Sequence, residues 1–66
     1  MENINDNIVL ITAEKADEII DTRKPFGLFY LFDNGVFVGI DNRDGDAWTE
    51  EFKTKKECIE WLKGGF

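Results

Sequence analysis

The 66-residue sequence contains no histidine, no serine and no glutamine, and it has one cysteine, Cys58, and one proline, Pro25. Without histidine or serine there is no Ser–His or Cys–His nucleophilic machinery. Proton transfer near neutral pH would fall to a carboxylate raised by burial. One cysteine closes no intrachain disulfide and builds no cysteine-rich zinc site, so the fold rests on packing in a reducing compartment. Long hydrophobic runs are missing too. The longest, Ile8 to Ile11 and Phe26 to Phe32, are far too short to span a bilayer. No basic segment followed by an apolar run opens the chain, which predicts no membrane association and a cytoplasmic location.

An apolar fraction of 42% with nine aromatic residues is the composition of a globular chain, and the length predicts one domain over 1–66. The net charge of −6 is uneven: −5 over 1–22, +1 over 23–40, −4 over 41–52 and +2 over 53–66. Such a surface repels phosphate backbones over most of its area, so nucleic acid is not an expected partner.

Met1 to Asn7 is polar and aperiodic, which predicts a loose arm. Ile8 to Ile11 is short and β-branched and predicts a strand. Thr12 is placed as an N-cap, with Glu14 complementing the dipole of a helix from 13 to about 21 whose apolar face holds Ala13, Ala16, Ile19 and Ile20. Asn34-Gly35 between Leu28–Phe32 and Val36–Ile40 suits a two-residue hairpin turn. That turn pairs Phe32 with Phe37, Leu31 with Val38, Tyr30 with Gly39 and Phe29 with Ile40. The hairpin then has two apolar faces, one with Phe29, Leu31, Val36, Val38 and Ile40, the other with Leu28, Tyr30, Phe32, Phe37 and Gly39. An even-length loop over the following acidic segment puts Trp48 and Phe52 on the second, aromatic face. With a four-residue loop Trp48 stands opposite Gly39, whose bare backbone the Tyr30 and Trp48 rings would cover. Thr54 and Glu57 form a capping box for a helix over 55–63, and Gly64 stands where a helix end favours a left-handed residue. The expected fold is α+β: a three-stranded antiparallel sheet, with Ile8 to Ile11 available as a short fourth strand, packed by two helices in the order β-α-β-β-β-α.

Cys58 lies in the apolar stripe of the last helix and reads as core. Asp41, Asp44, Asp46, Glu50 and Glu51 resemble a hard-cation site, but placing Gly45 at the glycine of an EF-hand loop puts Ile40 at the first ligand position, so a solvated turn is expected. Gly64-Gly65 follows a helix instead of opening one, so no phosphate loop is present. No catalytic residue, metal or cofactor is expected.

Phe52-Lys53-Thr54-Lys55-Lys56-Glu57-Cys58, with Trp61 three residues later, resembles the strand-to-helix junction of the arm-type DNA-binding domain of phage integrases. That resemblance implies three antiparallel strands followed by a helix, and DNA contact through the sheet. In the family the sheet is basic, whereas here Glu50 and Glu51 occupy the third strand, so the fold carries over and the DNA contact does not. The order helix, three strands, helix also looks like a double-stranded RNA-binding domain, with its Lys-rich start of the last helix reduced to Lys55 and Lys56. Small acidic chains with this ending are similar to accessory proteins of phages and mobile elements.

With both helices expected on one sheet face, the other face is a candidate interaction surface formed by Tyr30, Phe37, Asp44, Asp46, Trp48, Glu50 and Glu51. The function expected is a non-enzymatic protein-binding module, an inhibitor that presents carboxylates to a nucleic-acid-binding host or cognate protein. The second is a DNA-binding accessory domain using the sheet or Lys53, Lys55 and Lys56. The third is sequestration of a small ligand by an oligomer at Trp48 and Tyr30, and a homodimer would also cover the second face.

Overall fold

The computed structural model describes residues 8–64; the arm expected over Met1 to Asn7 lies outside them. The elements are β1 (Ile8–Leu10), α1 (Ala13–Thr22), β2 (Leu28–Asp33), β3 (Val36–Asp41), β4 (Trp48–Phe52) and α2 (Lys55–Leu62). They form an α+β fold on one mixed sheet of four strands in the order β1-β2-β3-β4. β1 runs parallel to β2, with Ile8 beside Leu28 and Leu10 beside Tyr30, and α1 is the crossover that parallel neighbours require.

Local chemistry sets the element ends. Thr12 Oγ1 accepts from the Lys15 backbone N–H at 3.1 Å and starts α1. Thr54 Oγ1 accepts from Glu57 N–H at 3.2 Å and starts α2. Asn34 and Gly35 have φ of 57° and 84°, as a type I′ turn needs, and the β2–β3 pairing follows: Phe29 with Ile40, Tyr30 with Gly39, Leu31 with Val38, Phe32 with Phe37. α1 ends at Arg23, a left-handed residue with φ of 62°. An L-residue there costs roughly 1 kcal/mol. The Arg23 side chain offsets this by donating Nε–H to the Ile20 carbonyl at 2.9 Å and Nη1–H to the carbonyls of Gly45 at 3.1 Å and Asp46 at 3.0 Å.

The helices pack on opposite faces of the sheet, which corrects the expectation that they share one. Ala16 and Ile19 of α1 are buried with Phe29, Leu31 and Ile40, the aliphatic face. Cys58 and Trp61 of α2 lie over Gly39, on the aromatic face, and Cys58 and Leu62 are fully buried. Because both faces are apolar, each can hold a helix, and the two connections deliver one to each.

The β3–β4 connection differs from the four-residue loop considered above. It spans residues 42–47, so Trp48 pairs with Asp41, Gly39 with Glu50 and Phe37 with Phe52. An even length keeps Trp48 and Phe52 on the aromatic face, as the alternation predicts. The wider loop is built around Asn42, which is fully buried. Its Nδ2 donates to the Pro25 carbonyl at 2.9 Å and its Oδ1 accepts from Ala47 N–H at 3.1 Å. Its backbone exchanges two hydrogen bonds with Gly27, at 2.8 and 3.2 Å. Asn42 thus binds the acidic loop to the segment that leads into β2.

Candidate interaction surface

The seven residues singled out by sequence fall into three groups. Tyr30 and Phe37 are half-buried on the α2 side. Lys55 Nζ lies 5.6 Å from the Tyr30 ring centroid, within cation–π range. Phe37 packs on Phe32 at 4.8 Å between centroids, and it is Phe32 that stays 60% exposed. The Trp61 ring, not those of Tyr30 and Trp48, covers Gly39. It therefore separates Tyr30 on β2 from Glu50 on β4, and it meets Phe52 at 5.7 Å.

Glu51 forms the second group alone, since strand alternation turns it to the α1 side beside Val38. Asp44, Asp46, Trp48 and Glu50 form the third, at the end of the sheet where the acidic loop meets β4. Trp48 is 65% exposed there. A depression of about 470 Å³ is lined by Asp41, Asp44, Trp48, Thr49, Glu50 and Trp61. Sequence reasoning had not assigned Trp61 to this surface because its place in an amphipathic stripe reads as core.

Asp41, which also lines the depression, is paired with Arg43, whose guanidinium feels the Asp44 charge as well. Arg43 donates Nε–H to Oδ1 at 3.0 Å and Nη2–H to Oδ2 at 2.8 Å, and its backbone N–H also reaches Oδ1 at 3.2 Å. The guanidinium hydrogen bonds hold the Asp41 carboxyl below its ordinary pKa, against the smaller opposing effect of burial. A carboxylate with a depressed folded pKa adds stability that is present above its unfolded value, about 4, and is lost as pH falls through the folded value. Asp41→Asn is therefore expected to lose less stability than the parent when urea unfolding is followed from about pH 5 down to about pH 2. Equal slopes for the two chains would rule out this contribution.

Burial also pushes the Cys58 thiol up, as expected for a packing residue. Among the described residues no group of three or more histidines, cysteines or carboxylates is placed to hold a metal ion. Among them no helix is long and apolar enough to cross a membrane. A larger and more open hollow, about 710 Å³, lies against Lys15, Glu18, Thr22, Lys24, Pro25 and Phe26. Its polar groups mostly answer one another: Lys15 pairs with Glu18 at 3.6 Å, and the Thr22 hydroxyl donates to the Glu18 carbonyl at 2.8 Å.

The surface around Trp48 is thus an exposed indole beside two exposed carboxylates, where β4 meets a loop whose backbone is fixed from within by Asn42 and from the side by Arg23. Rigid aromatic and acidic groups held this way can bind a cationic surface at little ordering cost. Comparison with known family models, curated proteins and solved structures finds no match for the chain.

Proposed function

We propose that the chain is a non-enzymatic protein-binding module whose contact surface is the acidic depression around Trp48. The observation that carries this reading is the 65% exposure of Trp48 in a depression walled by Asp41, Asp44 and Glu50. An exposed tryptophan is a typical binding anchor, and adjacent carboxylates steer a basic partner toward it. Within this reading the chain acts as an inhibitor, of the phage or mobile-element kind, presenting Asp44, Asp46 and Glu50 where a nucleic-acid-binding protein expects phosphates. Glu51 faces the other side of the sheet and Tyr30 is held under α2, so neither belongs to the same patch.

The test compares affinity capture from source lysate by the parent chain and by a Trp48→Ala, Glu50→Lys variant. A protein that the parent retains, that rising salt releases and that the variant loses is the expected result. Nothing retained at low salt, or the same proteins retained by both chains, would refute the assignment. A DNA mobility shift abolished by Lys55→Glu with Lys56→Glu would instead favour a DNA-binding accessory domain.

A further inference from the structure

β4 is an edge strand: it pairs with β3 on one side and, among the described residues, with no strand on the other. An open edge offers backbone donors and acceptors to any incoming strand, and proteins commonly guard such edges with charge. Here the guard has one sign. Side chains alternate along β4, so Glu50 stands on the α2 side with Trp48, and Glu51 on the α1 side with Thr49. A strand laid along this edge meets a carboxylate on each face at neighbouring positions. The sheet's other edge, β1, is three residues long and uncharged.

The charge pattern discriminates among occupants. A second copy docked β4 to β4 would bring these carboxylates together, and like charges on adjoining strands oppose pairing. A segment with adjacent basic residues meets opposite charge on both faces. The depression of about 470 Å³ at the start of β4 has room for a lysine or arginine side chain. There a cation is favoured by the Trp48 indole as well as by Asp44 and Glu50.

Resting on the protein-binding reading above, we infer that the outer edge of β4 receives an extended basic segment of a partner protein as an added strand, with one of its cationic side chains seated beside Trp48 between Asp44 and Glu50. Main-chain pairing supplies affinity in this mode, and the carboxylates on the two faces select the partner.

The probe is a short capped peptide with a central lysine-arginine pair flanked by valine and threonine, titrated against the whole chain. The expected result is a saturable change in tryptophan emission, weakened by salt, with slower amide exchange in 48–52 and none in 8–10. Glu50→Lys with Glu51→Lys, at unchanged circular dichroism, should weaken binding at least about tenfold. Only one alternate set of peptide amides faces β4, so methylating one set should abolish binding and methylating the other should spare it. Equal binding of both methylated peptides, equal binding of an acidic peptide of the same pattern, or no saturable change up to millimolar concentration would each overturn the inference. A partner captured through Trp48 and Glu50 without slowed exchange in β4 would overturn strand pairing and leave the protein-binding reading standing.

Discussion

Replacing Asn42 with alanine is expected to destabilise the chain by about 3 kcal/mol, read as a lower urea midpoint at unchanged slope. The substitution removes the group that accepts from Ala47 N–H and donates to the Pro25 carbonyl, and both partners lie beside a fully buried side chain. Each buried polar group left without a partner costs roughly 1–3 kcal/mol. Domains of this size are stable by about 3–10 kcal/mol, so one change would remove a large share. Asn42→Asp sharpens the test because its shape is conserved. The ionised carboxylate has no proton to donate to Pro25 and its charge is fully buried, so its folded pKa is expected to rise above the unfolded value of about 4. Protonated, it can still donate to Pro25 and accept from Ala47. A raised folded pKa favours the folded state at low pH and penalises it as pH rises through the unfolded value. Asn42→Asp should thus be closer to the parent at about pH 4 than at about pH 7. An Asn42→Ala midpoint within about 0.5 kcal/mol of the parent would show that the loop does not depend on this side chain.

The acidic loop also shows where sequence reasoning stops. The Asn34-Gly35 turn and the Thr12 and Thr54 caps are legible because each depends on a few adjacent residues whose conformational preferences are intrinsic. From the turn, period-two alternation gives the β2–β3 register and the membership of each face. Alternation does not say which layer covers which face when both are apolar, so the placement of α1 and α2 on opposite sides had no local signature. Asn42 was hidden for a related reason. In Asp41-Asn42-Arg43-Asp44-Gly45-Asp46 it looks like any turn asparagine, and only contacts with Pro25 and Gly27, distant in sequence, make it a core residue. Of the candidate surface, parity and charge single out Trp48, Asp44 and Glu50, which line one depression, whereas Tyr30 lies apart from them beside Lys55 of α2, a helix whose face alternation does not assign.

At Gly39 that helix packs closely on the sheet, and Gly39→Val is expected to cost about 3 kcal/mol by forcing them apart. A Cβ built at this position lies 3.1 Å from Trp61 Cε3, 3.2 Å from Cys58 Sγ and 3.2 Å from Trp61 Cζ3, all tighter than ordinary van der Waals contact. An alanine demands that the Trp61 ring and the Cys58 sulfur give by a few tenths of an ångström, and the reduced freedom of the unfolded chain offsets part of that cost. Valine adds two methyl groups in the same space, on a strand with neighbours on both sides, so neither the backbone nor the ring can absorb them. The effect should therefore depend on Trp61. With Trp61→Leu in place the space over Gly39 opens, and Gly39→Val should cost at least about 1 kcal/mol less than it does in the parent. Since Trp61 also lines the depression beside Trp48, the same substitution should alter Trp48 emission if packing at Gly39 sets the shape of the proposed contact surface. Energies that add within about 0.5 kcal/mol would show that the cost at Gly39 does not arise from contact with Trp61.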